Sequence, residues 1–112
     1  MKKIILDTNF ILSCLNFKID FIYETKKLVP NSTLCILEGT LHELKGKRLG
    51  NLAIQIIKDK KIKIIESGRY VDSEILKLKG DYLIATNDKE LIEKLSFSII
   101  RIKQKKYLIL QE

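Results

Sequence analysis

Short, β-branched apolar runs alternate with helical spacing along the whole chain, and that alternation narrows the fold more than any other feature of the sequence. Lys3-Ile4-Ile5-Leu6 reads as a buried strand that stops at Asp7. Phe10, Ile11, Cys14 and Leu15 then follow helical spacing, and a second helix is expected after Asp20 as its N-cap, running to Val29 before Pro30 and Asn31. Thr33 to Leu37 reads as a second strand, and Thr40 to Lys45 as a short helix stopped by Gly46. Leu49, Leu52, Ala53, Ile56 and Ile57 give the clearest amphipathic helix, with Ile62 to Ile65 the strand after it. Between Gly68 and Gly80, Val71, Ile75, Leu76 and Leu78 mark a further helix. Tyr82 to Ala85 is a fourth strand, Asp88 to Leu95 a helix and Ser98 to Ile102 a fifth strand, while Tyr107 to Leu110 offers a short edge strand. Strands separated by helices of crossover length imply right-handed βαβ units. The expected fold is α/β, a three-layer α/β/α sandwich around a mainly parallel five-stranded sheet.

Length and composition agree with that reading. At 112 residues, 46% hydrophobic and 31% charged, the chain is expected to form a single domain over residues 1–112. No apolar run approaches the roughly 18 residues that span a bilayer, and Asp7 interrupts the first apolar run too early for a secretory signal. A cytoplasmic protein with no membrane partner is expected. Cys14 and Cys35 lie inside apolar stretches without metal or redox spacing, and read as buried, reduced thiols. The net charge of +7 suits a polyanionic partner, although a solvated lysine surface explains it equally well.

In an open parallel sheet, ligands bind beyond the carboxyl ends of the strands, which directs attention to Asp7-Thr8-Asn9 and Thr86-Asn87-Asp88. Taken alone, each segment is better read as a helix cap, and Asn87 with Glu90 resembles a capping box. Glu43 is less easily explained, because it lies between Leu41 and Leu44 on a short helix whose apolar side must face the protein. Asp72 shares a helical face with Ile75 and Leu76, although an acid in a first turn also suits the helix dipole. Crowded carboxylates resist ionising together, so a pocket gathering Asp7, Glu43, Asp72 and Asp88 requires a divalent cation. The alternative is a set of independent caps.

These segments resemble the PIN-domain family. Ile5-Leu6-Asp7-Thr8-Asn9 is similar to its first acidic motif and Leu41-His42-Glu43-Leu44 to its second. Tyr70-Val71-Asp72-Ser73-Glu74-Ile75-Leu76, Tyr82 to Leu91, and Ile100 to Leu108 resemble an archaeal and eukaryotic branch that includes ribosomal-RNA processing proteins of the small subunit, with VapC-type toxins as more distant relatives. The resemblance spans nearly the whole chain and rests on the order and spacing of the motifs. One departure stands out: the branch usually has adjacent aspartates where this chain has Asp72-Ser73, and the segment from Asp72 to Thr86 is shorter than the family pattern. The third acid is therefore open between Asp72 and a ligand position at Ser73, with Asp72 or Glu74 substituting.

The resemblance implies a metal-dependent endoribonuclease, and hard oxygen ligands suit Mg²⁺ or Mn²⁺. Asp7, Glu43, Asp72 and Asp88 would hold the metal, with Thr8, Asn9, Ser73, Thr86 and Asn87 orienting them by hydrogen bonds. His42 is better read as a surface or groove residue than as a proton-transfer group, because a helical neighbour of Glu43 points about 100° away from it. Arg101, Lys103, Lys105 and Lys106 are candidate RNA contacts with Tyr107 available to stack; a charged edge that prevents aggregation explains them as well. Expected partners are RNA, an antitoxin or a ribosome-biogenesis factor, and a second copy of the chain. Two rivals remain: a non-catalytic RNA-binding or scaffold PIN domain, suggested by Ser73, and a phospho-accepting receiver-like domain. The receiver reading is disfavoured because it would need an acidic pair where Asp7 stands alone.

Overall fold

The computed structural model describes residues 2–66, 74–76, 81–95 and 97–112. Its sheet has the strands β1 (Lys3–Leu6), β2 (Thr33–Leu37), β3 (Lys63–Ile65), β4 (Tyr82–Ala85), β5 (Ser98–Lys103) and β6 (Tyr107–Gln111), in the spatial order β3-β2-β1-β4-β5-β6. All neighbours pair in parallel except β5 and β6. The helices are α1 (Thr8–Asn16), α2 (Phe21–Leu28), α3 (Glu38–Leu44), α4 (Gly50–Asp59) and α5 (Lys89–Lys94), and residues 74–76 are also helical.

The alternation of side chains along each strand builds two cores. Ile4 and Leu6 of β1 face the same side as Leu34, Ile36, Leu83 and Ile100, and there they meet Phe10 and Cys14 of α1, Phe21 of α2, Leu44 of α3 and Ala53 and Ile57 of α4. Ile5 points the other way with Cys35, Leu37, Ile84 and Ile99, packing against Ile75 and Leu91. Helices therefore cover both faces, as a mainly parallel sheet requires.

The sheet has six strands rather than the expected five. The run from Tyr107 is a full antiparallel partner of β5, in register from Ile99↔Gln111 to Lys103↔Tyr107. Leu108, 7% exposed, anchors it in the larger core beside Ile102. The expected short edge strand at Tyr107 to Leu110 is thus a full member of the sheet, and the turn before it has no glycine: Gln104 and Lys105 both take positive φ, 54° and 57°, where Gly and Asn are usual.

Elsewhere the differences lie at element ends. Helix α3 starts at Glu38, directly from β2, with Leu37 in the capping position and no side-chain cap bond. Strand β3 begins at Lys63 because Ile62 instead turns into the core and its amide donates to Ile57 O at the end of α4.

The topology places one position above the rest. The chain leaves β1 for β2 on one side and reaches β4 on the other, so the strand order reverses beside the carboxyl end of β1. Asp7 stands at that end.

Candidate active site

Asp7 ends β1 and caps α1 with the same side chain. Its Oδ1 accepts from the Thr8 amide at 2.9 Å, and Oδ2 accepts from the Thr86 hydroxyl at 2.8 Å. The Asp7 amide donates to Ala85 O, continuing the β1–β4 ladder one residue past the strand. With 6% of its surface exposed, Asp7 is a nearly buried carboxylate, a state that needs hydrogen-bond or charge partners.

Thr8, also buried, extends the network to α3. Its hydroxyl donates to Glu43 Oε1 and lies 3.3 Å from Thr40 Oγ1. A hydroxyl has one proton, and the carboxylate is the stronger acceptor for it. Asp7 and Glu43 are thus held beside each other by a single threonine, on elements that are distant in the chain.

The seating of α3 depends on Gly50 at the start of α4. A Cβ at this position would lie 1.8 Å from Leu44 O, so only a hydrogen fits between the end of α3 and α4. That close approach fixes the helix that presents Thr40 and Glu43.

Thr86 closes the opposite side of the network. It is fully buried, donates to Asp7 and accepts from the Asp88 amide at 3.2 Å, while its own amide donates to Ile100 O. One hydroxyl therefore ties β1, the β4 end and the start of α5 together.

Comparison with known proteins bears on the family and the fold. No family model matches the chain. The solved PIN domain endonuclease Utp24 superposes with a TM-score of 0.83 at 28% identity, over 96% of this chain and 90% of that one. Ribonuclease VapC4 of Methanocaldococcus jannaschii is 32% identical across an alignment of 124 residues, covering 96% of this chain and 95% of the relative. The chain belongs to the PIN-domain family. The fold is shared more distantly with VapBC2 of Rickettsia felis, solved bound to a DNA fragment from its promoter, at a TM-score of 0.59 and 17% identity over 90% of this chain and 99% of that one.

The remaining expected site residues of this PIN domain fall in different places. Asp88 is exposed and caps α5, its Oδ1 accepting from the Glu90 and Leu91 amides. The cap is thus Asp88 and not Asn87. The Asn87 side chain instead clamps β5, with Oδ1 accepting from the Ile102 amide at 2.8 Å and Nδ2 donating to Ile102 O. It is held toward the strand backbone, which corrects the expectation that it orients the carboxylates. Asn9 is exposed on the first turn of α1, and His42 is exposed on α3. Asp72 and Ser73 lie outside the described residues. Among the described residues, no group of three or more His, Cys, Asp or Glu side chains could hold a metal ion.

The expected basic contacts lie on the β5–β6 hairpin. Arg101 Nη1 donates to Gln111 Oε1 at 3.4 Å, across the β5–β6 pair. Lys103 is exposed at the end of β5, and Lys105 and Lys106 lie in the turn that follows. The Lys105 ammonium sits 5.8 Å from the ring centre of Phe17, the residue that closes α1, whereas Asp7 opens that helix. A helix of 9 residues spreads these ends by about 13 Å.

Sequence reasoning overlooked Thr40. The available signal was spacing: Thr40 precedes Glu43 by three residues, so the two share a helical face. Both cysteines are free and buried, as expected. Burial raises the Cys14 thiol to about 12. Burial also raises Cys35, with the ammonium groups of Lys63 and Lys3 opposing it.

Proposed function

We propose that this chain is a metal-dependent endoribonuclease that hydrolyses RNA phosphodiester bonds at the carboxyl rim of its sheet. The observation that carries the reading is the linkage of Asp7 and Glu43 through Thr8, whose amide donates to the first and whose hydroxyl donates to the second, at the strand-order reversal, with Thr86 bracing Asp7 from the other side. Family membership and the ribonuclease named among its relatives support the same activity.

The donor chemistry fits Mg²⁺ or Mn²⁺. Asp7 and Glu43 offer hard oxygens, and Mg²⁺ commonly takes one or two carboxylates while waters and substrate phosphates complete its shell. When bound, the metal would lower the pKa of an attacking water and offset charge on the scissile phosphate. The protein's own part is orientation. Thr86 and the Thr8 amide hold the two Asp7 oxygens in fixed directions, and Thr8 does the same for Glu43. Asp88 uses Oδ1 for its cap, and its exposed carboxylate suits a contact through water. Asp72 or Ser73 would complete the site.

The test is cleavage of structured RNAs with added Mg²⁺ or Mn²⁺, comparing the natural protein with Asp7→Asn and Ser73→Asp. Metal-dependent cleavage that Asp7→Asn abolishes is expected; cleavage unchanged in that variant refutes the reading. The Asp72-Ser73 departure favours a second reading, a non-catalytic RNA-binding PIN domain; RNA binding without metal-dependent cleavage would establish it, and activity appearing only in Ser73→Asp would expose a degenerate site. The substrate choice, ribosomal-RNA processing or toxin action restrained by an antitoxin, and a homodimeric assembly are parts of the proposal. Co-purification of the chain with a small antitoxin or with a ribosome-biogenesis factor separates the two roles.

A further inference from the structure

A second charged region lies at the opposite edge of the sheet. A groove of about 550 Å³ runs beside α2, lined by Tyr23, Lys26, Lys27 and Lys60. It continues into a smaller one of about 200 Å³, where Lys26 and Lys60 recur and are joined by Lys61, Lys63 and Ser32. This is where β2 and β3 begin. The 5 residues of β2 put about 16 Å of strand between this edge and the rim that carries Asp7.

Separate structural explanations exist for some of these lysines. Lys26 and Lys27 sit in the last turn of α2, where the helix dipole favours cations, and Lys63 on edge strand β3 discourages pairing with other chains. They do not explain the convergence. Among the described residues the salt bridges reduce to Lys27 with Glu24 at 3.7 Å, so Lys26, Lys60, Lys61 and Lys63 face the groove with no carboxylate partner. Asp20 also lines it, but its Oδ1 is occupied in capping α2.

We propose that this groove holds backbone phosphates of RNA outside the segment being cut. Unpaired ammonium groups fit a phosphodiester, and the ring of Tyr23, 63% exposed on the groove wall with the Lys27 ammonium 5.8 Å from its centre, offers a flat surface on which an unpaired base stacks. An acidic protein segment would use the lysines but not that ring. The proposal deepens the nuclease reading and rests on it for the identity of the polyanion.

The test is binding of a long unstructured RNA to the full chain carrying Asp7→Asn, so that nothing is cut. Adding Lys60→Gln with Lys63→Gln removes two phosphate contacts, which should make the salt slope shallower by about 1.4 and weaken binding about tenfold at 0.2 M salt. Adding Lys18→Gln with Lys94→Gln removes the same charge elsewhere and should cost distinctly less. Tyr23→Ala should weaken binding about fivefold or more, with Tyr23→Phe restoring it. Equal losses from the two lysine pairs would overturn the proposal. So would tight binding of polyglutamate that depends on Lys60 and Lys63 while RNA affinity does not, since the groove would then belong to an acidic protein. With the natural Asp7, the groove pair should lower kcat/KM on long RNA and leave a minimal oligonucleotide unaffected. Groove-dependent binding of an RNA that the natural protein fails to cut would sink the nuclease reading and leave the groove standing.

Discussion

Asp7 and Asp88 look alike in the sequence: each lies within three residues of an apolar strand, each is accompanied by a threonine and an asparagine, and each caps the helix that follows. Their surroundings separate them. Asp7 is nearly buried, and its two oxygens are held by different elements of the fold, whereas Asp88 is exposed and applies one oxygen to its own helix. The difference comes from strand order. Both strands have neighbours on each side, but Asp7 follows β1 directly at the reversal of connection, whereas Asp88 stands three residues beyond the end of β4. A cap motif is therefore a local fact, and its use as a site is decided by what packs over it.

The sharpest way to break this comparison is charge removal at each aspartate in turn. Asp7→Asn should reduce RNA cleavage by more than about 100-fold, beyond the usual effect of losing a supporting hydrogen bond. Asp88→Asn keeps the cap, because Asn caps as well as Asp, and should reduce cleavage by less than about tenfold. Equal losses would show that the two carboxylates do the same job.

Next in size is the brace between them. Thr86→Val removes the hydroxyl that joins Asp7 Oδ2 to the Asp88 amide, and steady-state cleavage should fall about 10- to 100-fold. Urea unfolding should show a loss of about 1–3 kcal/mol, since buried polar atoms are left unsatisfied. A Thr86→Ser variant that restores both would tie the effect to the hydroxyl.

The helix that Asp7 caps can also be loosened from within. Cys14 lies on its buried face, and its thiol stays neutral to about 12 in place of the ordinary 9.0. Above pH 9 the unfolded chain releases that proton while the folded chain keeps it, so stability falls as pH rises through this window, by about 1.4 kcal/mol per pH unit. Unfolding midpoints measured across the window should decline less steeply in Cys14→Ala; an unchanged slope would contradict the buried-thiol account. The smallest effect concerns the cap alone: Asp88→Ala should lower stability by about 1 kcal/mol, with the change absent in Asp88→Asn.

Much of this architecture was legible from residue spacing. The count of five strands left out Tyr107–Gln111, expected only as a short edge strand, because Gln104 and Lys105 adopt a turn conformation their side chains do not advertise, and the long-range packing of Leu108 in the core offsets that strain. Glu43 was noticed through its apolar neighbours, but its partner Thr8 lies 35 residues away and could not be named from periodicity. Asn87 misled for the same reason: an amide beside an acid looks like support for it, and only the position of Ile102 shows that the amide serves the sheet.

The sequence by itself determined the order of strands and helices, the faces they bury and the placement of acids at strand ends, because each of these depends on neighbours within about four residues. Tertiary structure alone decided which acids share a pocket. The Thr86 hydroxyl reaches Asp7 across a separation of 79 residues, and the Glu43 carboxylate is set beside Thr8 by a helix whose seating needs the missing side chain of Gly50. Hydrogen bonds are chosen by distance in space, and the pattern along a chain carries no record of that distance until the sheet has closed.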